Sequence, residues 1–123
     1  LSGGGWTTTI CAAIDTRIKH SFPVAGSYPL FIREMQPKSI GDFEQMYKPL
    51  LSKISYLDMY VMGSDSGRYQ MQILNKYDPC CFYGDHYKLY ENKIMSNFEV
   101  FLDSTHKKHI ISETALKQIF NKL

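Results

Sequence analysis

The chain predicts an α+β domain, with a mixed, mainly antiparallel sheet, a long helix packed on one face and a second helix at the C-terminus. Three patterns lead there. Threonine-rich and β-branched stretches near the N-terminus favour strands. Apolar residues recur at helical spacing after Ser39. An alternating run folds back on itself around Gly63-Ser64-Asp65-Ser66-Gly67, as in a hairpin with one wet face.

Taken in order, Ser2-Gly3-Gly4-Gly5 reads as a flexible start, and Trp6 to Ile14 as a strand with Trp6, Ile10 and Ile14 on one face. Ile18 to Val24 reads as a second strand, with Pro23 marking an edge or an end. Leu30 to Met35 is a third, shorter strand. Pro37, then Ser39 with Asp42 three residues on, signal a helix start. Ile40, Phe43, Met46, Tyr47, Leu50, Leu51 and Ile54 carry that helix forward, and Pro49 kinks it. Leu57, Met59 and Val61 alternate into the hairpin, whose return strand, Arg68 to Leu74, turns Tyr69, Met71 and Ile73 inward. His86 to Tyr90 and Asn97 to Leu102 are the last strands, and Ser112 caps a final helix with Leu116, Ile119, Phe120 and Leu123 on its apolar stripe. Phe43, Leu50, Leu57, Met59, Met71, Ile73, Val100 and Phe120 are the expected core.

Composition excludes several classes. With 123 residues, 44% hydrophobic and 21% charged, the chain has the make-up of one globular domain, residues 1–123, and not of a disordered segment. The Leu at position 1 suggests excision from a larger parent protein. No apolar run reaches the ~20 residues of a membrane span. A net charge of +2 is far from the basic stripe of a duplex-DNA binder. Cys11, Cys80 and Cys81 are an odd set, and adjacent cysteines bridge only with strain. The expectation is therefore a reducing, cytoplasmic setting without a disulfide framework.

Signatures of chemistry are sparse. There is no P-loop, no H-E-x-x-H and no G-x-S-x-G; Gly3-Gly4-Gly5 precedes an expected strand and so lacks a helix N-terminus for a phosphate. Zinc held by Cys80, Cys81, His106 and His109 is disfavoured by the adjacent cysteines. No catalytic residue, metal or cofactor is assigned. Aromatics, 14% of the chain, offer another chemistry: a flat cationic base is held between two rings by stacking and cation–π attraction. Trp6, the one indole, could pair with Phe22, or with Tyr28 if the intervening turn is shorter, and Asn75 or Asp78 could read a guanine edge.

On this layout (Trp6 and Phe22 on early strands, a helix over Ser39 to Ile54, a hairpin over Tyr56 to Leu74) the chain resembles the cap-binding domains inside the large polymerase proteins of segmented negative-strand RNA viruses. The resemblance implies a non-catalytic module whose partner is a capped RNA end or a 7-methylguanosine nucleotide. Two other classes stand beside it. One is a metal-independent ribonuclease or toxin domain using His106 and His109 with Lys107 or Lys108. The other is a protein-interaction domain of immunity or adaptor type, suited by a tyrosine-rich surface.

Overall fold

Three short strands lie side by side in the order β1-β2-β3, and all run in the same direction. The computed structural model describes residues 1–123. Helix α1 (Gly3–Ile14) comes first and leads to β1 (His20–Ser21). Helices α2 (Leu30–Met35), α3 (Lys48–Leu51) and α4 (Tyr56–Ser64) cross back to β2 (Tyr69–Asn75). Short 3-10 turns then lead to β3 (Phe98–Asp103) and helix α5 (Glu113–Phe120).

The two faces of the sheet are covered by different helices. On one, Leu74 joins Tyr56, Met59 and Tyr60 of α4, with Phe98, Val100 and Leu102 of β3 packed alongside. On the other, Met71 and Ile73 meet Val24, Ala25 and Ala115, with Tyr69, Phe101 and Ile119 around them. The pleat therefore sends alternate residues of β2 and β3 to opposite cores. Parallel strands joined by crossover helices acquire this double cover, and both faces become dry.

This corrects the expected fold class: the sheet is wholly parallel, and no hairpin and no long helix are present. Trp6 to Ile14 is helical, and the glycine carbonyls behind it accommodate the threonines. Thr7, Thr8 and Thr9 donate to the carbonyls of Gly3, Gly4 and Gly5 at 3.0, 2.8 and 3.2 Å, an option that a helix offers hydroxyls four residues on. Leu30 to Met35 and Leu57 to Val61 are also helical. The latter run starts at a complete capping box, in which Ser55 accepts from the Asp58 amide at 3.2 Å and the Asp58 carboxylate accepts from the Ser55 amide at 2.8 Å. A short apolar run does not distinguish strand from helix by periodicity alone.

The expected helix over Ser39 to Ile54 is broken. Gly41 takes a φ of 82°, outside the helical region, and Pro49 sits in the first turn of a separate helix, α3, where proline is tolerated. Phe43 is consequently 83% exposed, and Phe120, on the outer side of α5, is 71% exposed. Neither belongs to the core. Met59, Met71 and Ile73 are buried as expected, while Leu50, Leu57 and Val100 are half-buried. His86 to Tyr90 forms a 3-10 turn instead of a strand. No helix is long and apolar enough to cross a membrane.

The packing that orients α1 is a backbone-to-backbone crossing. The Ser2 amide donates to the Val24 carbonyl at 2.9 Å, and Gly5 and Gly26 face each other just beyond. A Cβ at Gly26 would lie 2.3 Å from the Gly5 carbonyl carbon and 2.4 Å from the Trp6 nitrogen, so backbone would have to move. Gly26→Ala is expected to destabilise the domain by about 3 kcal/mol, the upper end of ordinary overpacking. Urea unfolding would measure it; an unchanged midpoint would mean that the two segments are not held this tightly.

Candidate active site

Residues at the carboxyl ends of parallel strands, and on the loops that follow, are the usual place for chemistry in such sheets. Here the loop after β2 carries Asp78, Cys80 and Cys81, and the loop after β3 carries His106 and His109. Each histidine has its own aspartate.

Asp78 is buried and its carboxylate is saturated. One oxygen accepts from the amides of Cys80 at 2.8 Å and Cys81 at 3.4 Å. The other faces His109 Nδ1 at 2.7 Å and accepts from Asn75 Nδ2 at 3.2 Å. Asn75 also donates to the Ile110 carbonyl at 3.0 Å, which ties the histidine loop to the end of β2. His109 is thereby held by Nδ1, and its Nε2 is buried without a protein partner. An imidazole oriented in this way by a carboxylate has one nitrogen left for work.

A second carboxylate braces the same loop. Asp103, fully buried at the end of β3, accepts from the Thr105 amide at 2.8 Å and its hydroxyl at 2.6 Å, and from the Ser112 hydroxyl. Ser112 in turn caps α5 by accepting from the Ala115 amide at 2.9 Å. Residues 104–111 are thus clamped at both ends. Burial alone would raise the Asp103 carboxyl, but the Ser112 and Thr105 hydrogen bonds outweigh it and hold the group below its ordinary value. His106 Nε2 lies 3.3 Å from Asp103 without the alignment of a hydrogen bond.

Ser2 stands just before α1. It takes φ 55° and ψ −128°, a conformation that costs a non-glycine residue of order 1–3 kcal/mol. Its hydroxyl makes no capping bond, and no acidic side chain occupies the first turn behind it. The amides of Gly3 and Gly4 are among the first of the helix, which have no carbonyl four residues back. Ser2 lines a cleft of about 200 Å³ together with Gly41, Gln45, Cys80, Cys81 and Phe82. The sulfurs of Cys80 and Cys81 both lie within 4.8 Å of a ring nitrogen of His109. Ser2 and His109 thus both border the Cys80–Cys81 pair, Ser2 across the cleft and His109 through its ring nitrogen. The larger cavity, about 360 Å³ between α2 and α4, is lined by Glu34 and the capping Ser55 but by no histidine or cysteine.

Buried Arg33 supports the far wall of the cleft. It donates to the Ile40 carbonyl at 2.8 Å and to Gln45 Oε1 at 2.9 Å, and its guanidinium lies over the rings of Tyr56 and Phe82 at 4.4 and 5.0 Å. Burial pushes this guanidinium below its ordinary value.

No protein-family model and no curated protein sequence matches this chain. One solved structure is similar. It is an acetyl xylan esterase from Paenibacillus sp. R4, with a TM-score of 0.67 and 18% identity over 98% of this chain and 42% of that one. The chain thus spans less than half the length of that structure, and at this identity the likeness is one of fold. It replaces the resemblance to viral cap-binding domains, because the layout behind that resemblance does not occur: Trp6 is on a helix, and residues 56–74 are a helix followed by a strand.

The residues proposed for a nucleotide site are scattered. Trp6 donates its indole N–H to the Tyr56 hydroxyl at 3.0 Å and packs on the α4 core, whereas Phe22 packs edge-on against Tyr69 on the opposite core. Tyr28 is fully buried. Asn75 and Asp78 bond to each other and to the histidine loop, and Asp78 also to the amides of Cys80 and Cys81. His106 and His109 are paired with separate carboxylates instead of forming one acid–base pair. Cys80 and Cys81, not expected to bridge, are joined as a disulfide, and Cys11 is free and exposed.

Ser2 was missed at the sequence level, and a signal for it existed. Ser2-Gly3-Gly4 is the second half of the G-x-S-x-G elbow pattern, which is read only if a helix follows.

Two expectations follow. Ser2→Gly should be about 1 kcal/mol more stable than Ser2→Ala, because only glycine adopts the positive φ without a Cβ penalty; equal chemical-denaturation midpoints would deny the strain. For Asp103 the folded group titrates below its ordinary value of 3.8, so its stabilisation is complete above that pH and is lost as pH falls through the folded value. Stability measured from about pH 6 down to pH 2 should therefore drop less in Asp103→Asn than in the parent. Parallel curves would remove Asp103 as the source.

Proposed function

We propose that this chain carries the catalytic triad of a serine hydrolase acting on acyl esters, with Ser2 as nucleophile, His109 as base and Asp78 as the orienting acid. The observation that carries the reading is that a serine and an aspartate-bonded histidine both border the Cys80–Cys81 pair. A serine sits in a strained turn at a helix N-terminus. A histidine bonded through Nδ1 to a buried aspartate has its other nitrogen unpartnered. The chain order is Ser-Asp-His, the order found in α/β-hydrolases. The fold-level likeness to an esterase is consistent with this and adds support by analogy only.

Each group has a definite task. His109 Nε2 takes the Ser2 proton as Oγ attacks the acyl carbon. Asp78 keeps Nδ1 protonated and stabilises the imidazolium without itself accepting the proton. Negative charge then develops on the acyl oxygen, and the Gly3 amide, following the nucleophile at the helix N-terminus, is placed to donate to it. The imidazolium returns the proton to the departing alcohol. Water activated by the same histidine then releases the acid. The saturated Asp78 carboxylate matters here because a loosely held one would let the ring rotate off the serine.

An active-site-directed fluorophosphonate should label the protein at Ser2, identified by peptide mass spectrometry, and the label should be absent in Ser2→Ala. Hydrolysis of 4-nitrophenyl acetate should fall by at least ~10³-fold in Ser2→Ala and His109→Gln, the scale of loss when a triad member is removed. Labelling elsewhere, or full activity in Ser2→Ala, would refute the assignment.

A further inference from the structure

The cleft wall beside His109 is a pair of adjacent cysteines whose sulfurs are joined, and the proposed triad has no use for them. Cys80 is exposed and Cys81 is buried, so the pair spans the boundary between solvent and site. Both sulfurs and a His109 ring nitrogen lie within 4.8 Å of one another. The amides of both cysteines are held by the same Asp78 carboxylate that holds His109 Nδ1, so one anion sets the positions of all three groups.

We propose that Cys80, Cys81 and His109 form a redox-gated site for a soft divalent ion of the Zn²⁺ class, and that its occupation withdraws the base from Ser2. The consequence for activity rests on the triad reading; the metal site does not. In the disulfide form neither sulfur has a thiolate to offer, and His109 Nε2 is free. A dithiol reductant opens the pair by exchange: its thiolate attacks the exposed Cys80 sulfur, the S–S bond breaks, and its second thiol resolves the mixed disulfide. Two electrons and two protons pass to the protein, and the reductant leaves as its own disulfide. The metal ion then displaces the two thiol protons and gains two thiolate bonds and one imidazole bond.

The donor set suits such an ion. Thiolate and imidazole are the preferred ligands of Zn²⁺, at about 2.3 and 2.0 Å, which puts ligand atoms of one ion roughly 3.5 Å apart. Opening the disulfide moves the sulfurs apart towards that spacing, and side-chain rotation closes the remaining distance to the imidazole. Asp78 on Nδ1 is the partner that a metal-bound histidine ordinarily has, fixing Nε2 as the ligating nitrogen. The same carboxylate–imidazole pair therefore serves either as the base of the triad or as a metal ligand, and the oxidation state of the neighbouring sulfurs decides which.

The test uses the full chain in a Cys11→Ser background, since Cys11 is a free exposed thiol. The protein, reduced with dithiothreitol and desalted, is titrated with Cd²⁺ while thiolate-to-metal absorption and 4-nitrophenyl acetate hydrolysis are read together. The reduced chain should take up one Cd²⁺, and hydrolysis should fall at least tenfold in step with the absorption. The oxidised chain should show neither change. Cys80→Ser with Cys81→Ser should lose the absorption, and its hydrolysis should not respond to Cd²⁺. His109→Gln should bind Cd²⁺ at least tenfold more weakly while remaining folded by circular dichroism. Absence of absorption from the reduced chain, or unchanged affinity in His109→Gln, would overturn the site. A His109-dependent absorption titration in a chain whose hydrolysis survives Ser2→Ala would uphold the metal site and discard the triad.

Discussion

Helix α1 lies against residues 24–26 with no side chain between the two backbones, and the position of Ser2 depends on this approach. Gly5 and Gly26 make it possible, and the Ser2 amide, bonded to the Val24 carbonyl, locks it. Val24 in turn bridges to Ile73 of β2, so the turn that carries Ser2 is referenced to the centre of the sheet. A Cβ at either glycine would push the helix outward, and the serine would leave the cleft with it.

The histidine side is built by a different physical device. Two buried carboxylates, each satisfied by several donors, replace the hydrophobic contacts that a loop cannot make. Asp103 holds the ends of the loop through Thr105 and Ser112, and Asp78 holds its working residue, His109. A buried carboxylate with too few donors would be costly, whereas one that accepts three bonds, as Asp103 does, or makes four, as Asp78 does, is a rigid anchor. This is why residues 104–111 hold His109 in one place without regular secondary structure of their own.

Buried polar residues also explain why the sheet was hard to recognise. Gln70 and Gln72 alternate with Met71 and Ile73, which reads as a strand with one wet face. In the folded protein both glutamines are buried. Gln70 donates to the Ser21 hydroxyl at 3.0 Å and Gln72 to the Ser27 carbonyl at 2.8 Å, with Tyr60 and Tyr90 completing the network. The alternation records two different cores instead of core and solvent. Much of the chain's tyrosine content serves the same end, since Tyr28, Tyr56, Tyr60 and Tyr90 are all buried with their hydroxyls bonded.

From the sequence alone, local features with a local cause could be read. The helix cap at Ser112, the strands over Tyr69–Asn75 and Phe98–Asp103, the buried Met59, Met71 and Ile73, and the lack of a membrane-spanning run all follow from capping chemistry and period-two burial. Asn75 and Asp78, expected to read a guanine edge, instead bond to each other and to the histidine loop, with Asp78 also accepting from the Cys80 and Cys81 amides. Strand direction, the helical state of residues 6–14 and 57–61, and the pairing of Asp78 with His109 were decided by tertiary structure. Parallel pairing gains its stability from helices packed on both faces, which no window of neighbouring residues records. The Ser2 turn is unfavourable by itself and persists only because the 24–26 segment holds it. Asp78 and His109 are 31 positions apart, and their pairing exists only once the sheet has formed.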